Sequence, residues 1–189
     1  MSLAVRRVPA TYADLAALPP HVVGELIGGE LYASPRPALP HADAASGLGA
    51  ELHGPFQRGR GGPGGWWILD EPELHFGEDA LVPDVAGWRR ERVPVLPRAA
   101  AMTVAPDWVC EVLSPSTARL DRSVKMRVYA REGVEWLWLV DPDARLLEAY
   151  RRQEATWLRV AVHSENDIAP IPPFEAINFE LGALWEGVA

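Results

Sequence analysis

One six-residue run, Trp108-Val-Cys-Glu-Val-Leu113, constrains what this chain can fold into more than any other stretch. Apolar residues at consecutive positions leave no polar face, so the run reads as a strand covered on both sides. Ser114-Pro-Ser-Thr117 then supplies a turn and a helix cap, after which Leu120, Val124 and Val128 recur every four residues and define one buried stripe. Asp121, Lys125 and Tyr129 form the neighbouring stripe. Gly133 fits a left-handed C-cap, and Val134 to Val140, with alternating Trp136, Trp138 and Val140, begins the next strand. A strand-turn-helix-strand unit results.

The exception in the run is Glu111. A carboxylate between Cys110 and Val112 needs a metal, a cation or a raised pKa to be tolerated there. Asp84 of Pro83-Asp84 lies in another strand-like segment, Leu81 to Ala86, where an ionised carboxylate is equally costly to bury. Two strand-borne acids and the helix-borne Lys125 can meet at one point, and that trio suits metal-assisted hydrolysis of a phosphodiester. Lys125 also stands four residues after Asp121, the spacing of an ordinary intrahelical ion pair worth a few tenths of a kcal/mol. The pair gains meaning only from sharing a unit with Glu111.

Elsewhere the pattern is punctuated by turns. Thr11 to Leu18 suits a short helix ended by Pro19-Pro20, and Glu25 to Tyr32 reads as a hairpin around Gly28-Gly29. His41 to Phe56 is alanine-rich and helical in character. Gly59 to Gly65 lacks the Lys-Ser/Thr ending of a phosphate-binding loop and precedes a strand, so a flexible connection is the better reading. Trp66 to Leu69, Glu73 to Phe76 and Leu81 to Trp88 look like successive strands of a meander, and Leu146 to Tyr150 with Thr156 to Val162 like a hairpin. Leu181 to Trp185 forms a last apolar turn that docks on the core. At 189 residues the chain is expected to form a single domain, 1–189.

Several classes are set aside. No 18-residue apolar run exists and Met1-Ser-Leu-Ala-Val-Arg-Arg7 lacks an apolar signal segment, so a cytoplasmic protein without a membrane span is expected. Cys110 has no partner for a disulfide or a cysteine-rich zinc site and reads as a buried small hydrophobe. The histidines show no zinc-helix spacing, and no Gly-x-Ser-x-Gly elbow exists. A net charge of −8 argues against a generic nucleic-acid coat but suits a site built from carboxylates. Eight tryptophans and four tyrosines exceed what one small core readily absorbs, which points to a homodimer that buries the excess.

Taken together, Pro83-Asp84, Glu111 to Thr117, Asp121, Lys125, Tyr129, Gly133-Val134 and Trp138 to Pro142 resemble the Uma-type endonuclease family, a bacterial branch of the PD-(D/E)XK nuclease superfamily. Glu25 to Leu31, Ser34-Pro35 and His41 extend the resemblance over nearly the whole chain. It implies a restriction-endonuclease-like α+β fold, a mixed central β-sheet flanked by helices, commonly assembled as a homodimer. It also implies that Asp84 and Glu111 bind a divalent metal. The superfamily lysine stands two residues after the second acid, where this chain has Leu113, and the resemblance implies that Lys125 supplies the ammonium from the following helix.

The expected mechanism has Mg²⁺, or Mn²⁺ in its place, held by Asp84, Glu111 and the Val112 carbonyl, Lys125 orienting water or stabilising charge on phosphorus, and Asp121 positioning Lys125. The resemblance adds Glu25 as a further acid and His41 as a substrate contact. The expected substrate is nucleic acid, DNA in the first place. The competing expectation is an inactive nuclease fold used for binding or assembly, which the acidic charge, Leu113 and the tryptophans would also suit.

Overall fold

In the computed structural model, which describes residues 9–186, two mixed sheets hold most of the strands and the last two pair by themselves. The chain runs through α1 (Tyr12–Ala16), β1 (Val22–Ile27), β2 (Glu30–Pro35) and α2 (Leu39–Leu52), which ends in a π-helical turn (His53–Gln57). Then come β3 (Trp66–Asp70), β4 (Glu73–Phe76), β5 (Asp79–Leu81), β6 (Val85–Arg89), β7 (Ala101–Met102) and β8 (Trp108–Val112). A single helical stretch follows, α3 (Ala118–Leu120), a π-helical turn (Asp121–Lys125) and α4 (Met126–Arg131). The chain closes with β9 (Trp136–Asp141), β10 (Leu146–Gln153), β11 (Thr156–Ser164), β12 (Ile168–Ala169), β13 (Phe179–Glu180) and a 3₁₀ turn (Leu181–Leu184). The stretch read for a signal segment lies outside the described residues. No described helix is long and apolar enough to cross a membrane.

The larger sheet has the order β11-β10-β9-β8-β6-β3 and the smaller β2-β1-β5-β4-β7. β8 runs parallel to β9 and antiparallel to β6, and every one of its residues is buried. Its side chains alternate between two cores, as the two-residue period of a strand requires. Trp108, Cys110 and Val112 face α2 and the C-terminal segment around Phe174, Phe179 and Leu184. Val109 faces Leu74, Leu81, Val128, Tyr129 and Leu137 on the other side. Glu111 shares the parity of Val109, so it is aimed at the helical stretch that follows its own strand.

Four sequence expectations are corrected here. The meander does not form: β3 pairs with β6 in the larger sheet, while β4 and β5 pair in the smaller one. The segment from Leu81 to Trp88 is split at Val82-Pro83-Asp84, because Pro83 has no N–H for a ladder and the chain crosses there between sheets. Second, the tryptophans are absorbed by the cores. Trp66, Trp88, Trp108, Trp138 and Trp185 are buried, and Trp67, Trp136 and Trp157 pack half-buried against the same clusters. No aromatic excess remains to argue for a dimer.

Third, the glycine-rich connection is pinned. The Arg60 N–H donates to Gly54, the Gly64 N–H to Pro55 and the Arg90 N–H to Gly65, all at 2.8–2.9 Å. Fourth, the apolar stripe of the 118–131 helix is not the most buried one. Leu120 and Val124 are only half-buried, whereas Asp121, Lys125 and Tyr129 are at most 3% exposed. The helix turns its charged stripe inward.

Candidate active site

The sheet crossing builds the site. β6 pairs with β8 only as far as Val85 opposite Cys110. Beyond that point the Asp84 carboxylate replaces the missing backbone partner, its Oδ2 accepting the Val112 N–H at 2.7 Å. Its Oδ1 lies 3.3 Å from His41 Nε2, on the first turn of α2. Val82, on the other side of Pro83, donates its N–H to Glu25 Oε1 at 2.9 Å and accepts from Lys125 Nζ at 3.3 Å. A segment that cannot ladder thus becomes the junction of β1, α2, β8 and the 118–131 helix.

Lys125 reaches this junction from above. Its Nζ lies 2.9 Å from Glu111, 3.0 Å from Glu25 and 3.6 Å from Asp121. The widened π-helical turn covers Asp121–Lys125, a distortion that recurs at functional sites. Tyr129, one turn further, donates its hydroxyl to Glu111 Oε1. Glu25, His41, Asp84, Glu111, Asp121 and Lys125 all line one open cleft, with Tyr32, Ser34 and Thr117 at its wall. Every side chain singled out in the sequence is brought together there. Leu113 is 4% exposed in the second core, and the ammonium arrives from the helix.

Charge in the cleft is unbalanced. Four carboxylates withdrawn from solvent, with the exposed Glu71 at the rim, face one ammonium and one imidazole in surroundings that screen poorly. Burial pushes the Glu111 carboxyl well above its ordinary value; Asp121, Asp84 and Glu25 add to the rise and Lys125 opposes it. Asp121 is raised for the same first reason, with Lys125 and Thr117 opposing. Burial works against the Lys125 charge, yet Glu111, Glu25, Tyr129 and Asp121 outweigh it and hold the ammonium well above the usual lysine value. Burial and the Glu111 charge push the Tyr129 phenol up, so it remains a donor. For His41, burial lowers the pKa, but the Asp84 hydrogen bond and charge and the Val112 backbone more than offset it and the net shift is upward. Glu111 thus has the cation that its apolar surroundings call for and a raised pKa besides. It has two partners, Lys125 and Tyr129, and still sits among too many acids.

Tyr129 is the site residue that sequence reasoning left without a role, although its place four residues after Lys125 on the inward stripe is a usable signal. A second signal is composition: of the 18 Lys and Arg residues Lys125 is the sole lysine, and it is buried. Such a position selects a compact ammonium over a planar guanidinium.

The family model of Uma2, described as "Putative restriction endonuclease", matches residues 9–183. Among solved structures, "a putative nuclease belonging to DUF820" from Anabaena variabilis superposes with a TM-score of 0.76 at 24% identity, over 94% of this chain and 98% of its own. That likeness establishes a shared fold, the mixed sheet flanked by helices that the resemblance implied. No curated protein matches.

Proposed function

The chain belongs to the Uma2 restriction endonuclease family, and from that premise we propose that it is a metal-dependent endonuclease hydrolysing nucleic-acid phosphodiester bonds, those of DNA in the first place. The observation that carries this reading is the excess of buried carboxylate around a single ammonium at the open end of β8. A divalent cation is the natural complement of such a site. Among the described residues no three of His, Cys, Asp and Glu form a ready-made metal cage. A hard, strongly hydrated ion needs less, because one or two carboxylates, a carbonyl and water suffice. Asp84 and Glu111 retain acceptor capacity after the hydrogen bonds described, since each carboxylate offers about four lone-pair directions.

Mg²⁺, or Mn²⁺ in its place, would be held by Asp84, Glu111 and the Val112 carbonyl, and when bound supplies Lewis acidity and a water of lowered pKa. The remaining tasks fall to the chain itself. Lys125, kept charged by its acidic neighbours, stabilises negative charge developing on the phosphoryl oxygens or orients the attacking water. Glu25 and Asp121 hold that ammonium in place, and Tyr129 fixes the rotamer of Glu111. His41, oriented by Asp84, contacts a substrate phosphate.

A cytoplasmic homodimer completes the reading. Support for the dimer comes from the family and from β11, an edge strand whose outer side has no ladder partner among the described residues and which exposes Leu158, Val160 and Val162. Light scattering at twice the chain mass would agree with it, and a strict monomer would not. The test of the activity is cleavage of mixed DNA and RNA substrates with Mg²⁺ or Mn²⁺, with Glu111→Ala as control. Loss of cleavage on chelation and in the variant is expected; metal-independent cleavage, or none under any condition, would refute the reading. In the second case the non-catalytic binding module gains, a reading favoured by the full engagement of Lys125 with its acidic neighbours.

A further inference from the structure

The pinned glycine-rich loop takes no part in the cleft, yet it is built with care. A Cβ at Gly62 would lie 2.5 Å from the Pro55 side chain, so the loop packs closely on the end of the α2 turn. Arg90 locks it from outside, bonding the Gln57 carbonyl at 2.8 Å and the Trp66 carbonyl at 3.1 Å while stacking 3.9 Å over the Trp67 ring. On this frame Arg58 and Arg60 stand exposed, and Arg89 lies 4.6 Å over the ring of Trp66. Among the described residues no carboxylate comes within 4.0 Å of these three guanidiniums. Several arginines elsewhere are consumed by acids: Arg92 by Asp107, Arg122 and Arg159 by Glu148, Arg131 by Asp79. The acid nearest in sequence to the patch, Glu91, is exposed in the same turn.

We infer that Arg58, Arg60 and Arg89 form a phosphate-backbone clamp for the flank of a nucleic-acid substrate whose scissile bond lies in the cleft. The ligand's identity rests on the nuclease reading; the clamp itself rests on this surface. Guanidiniums match phosphate in a bidentate fork, and on a rigid loop less freedom is lost in binding than on a floppy one. Position agrees. The Trp66–Arg89 pair stands at one end of the β3–β6 ladder and Asp70–Val85, next to Asp84, at the other. Four residue steps at about 3.3 Å span about 13 Å, roughly the rise of four base pairs. In a chain of net charge −8, a basic surface free of carboxylate partners also favours this direction of approach for a polyanion.

The test separates binding from cleavage. Anisotropy of a fluorescein-labelled DNA duplex, measured in EDTA over a salt series, compares the parent, R58A/R60A and the charge-matched R151A/R152A on β10. Arg58 and Arg60 are exposed, so folding is not at issue. R58A/R60A should lose about tenfold or more in affinity, and its log–log salt slope should flatten by about 0.9 for each lost contact. R151A/R152A should change little. Equal losses in both double variants, an unaltered R58A/R60A, or a parent that binds no duplex would each overturn the clamp. Patch-dependent binding without cleavage would sink the nuclease reading and leave the clamp standing. Cleavage by a variant of parental affinity and salt slope would do the reverse.

Discussion

Glu111 and Glu148 occupy the same cross-strand row of the larger sheet, each registered against Leu139 on β9, so they share a face two strands apart. Both are buried, at 2% and 4% exposure, and the 118–131 helix lies over both. Their chemistry is nonetheless opposite. Burial would raise the Glu148 pKa, but hydrogen bonds from Arg159, Arg122 and Tyr150 win and hold it below the ordinary range. Glu111 has Lys125 and Tyr129, but burial and three further acids push it upward. A buried carboxylate is therefore no marker of a site by itself. The local balance of charge is: two cations for one acid make a structural anchor, and one ammonium for four acids leaves an excess of negative charge.

That contrast can be broken by substitution, beginning with activity. Glu111→Ala should reduce cleavage at least a thousandfold, on the order of 4 kcal/mol in the barrier, while Glu148→Gln leaves it within a few fold. Comparable losses at both positions in a steady-state cleavage assay would erase the distinction. Next in size is Lys125→Met, which leaves the buried acids without their ammonium and should destabilise the protein by about 3–5 kcal/mol in denaturant unfolding. Divalent metal should restore part of that loss; if it does not, the cleft has no cation site. Glu148→Gln should cost less, about 1–2 kcal/mol, since Arg122 and Arg159 are exposed enough to be rehydrated.

The smallest effect is a difference of sign with pH. A raised pKa means that the Glu111 contribution is full below the ordinary value of 4.5 and is lost as pH rises through the folded-state value. A lowered pKa means that the Glu148 contribution is full above 4.5 and is lost as pH falls through the folded-state value. In metal-free protein, Glu111→Gln should therefore gain on the parent in melting temperature as pH rises above 4.5. The parent's advantage over Glu148→Gln should shrink as pH drops below it. Parallel curves for the two variants would show that their surroundings are alike.

The same two residues show what the sequence makes legible. Glu111 stands out because its neighbours are uniformly apolar, so a strand of period two leaves it nowhere to go but inward. Glu148 follows Leu146-Leu147 in a hairpin with polar residues close by, and nothing local reveals that Arg122, distant along the chain, will join Arg159 of the facing strand to cover it. The inward helix stripe is hidden in the sequence for a related reason. Leu120, Val124 and Val128 have the better hydrophobic pattern, but the acids below attract Lys125, and a site overrides the rule that apolar stripes face the core. The meander failed because Pro83 acts at a distance: it ends one ladder and frees Val82 and Asp84 to serve side chains from other elements. The tryptophan count carries no argument about a dimer, because β8 separates two cores that absorb these rings.

We propose that the acid excess around Glu111 is a divalent-cation site, whereas Glu148, matched by two arginines, binds no ion. Titration calorimetry with Mn²⁺ at neutral pH on the parent, Glu111→Gln and Glu148→Gln tests it directly. One ion bound per chain in the parent and in Glu148→Gln, and none in Glu111→Gln, is the expected result; no binding by the parent, or undiminished binding by Glu111→Gln, would contradict it.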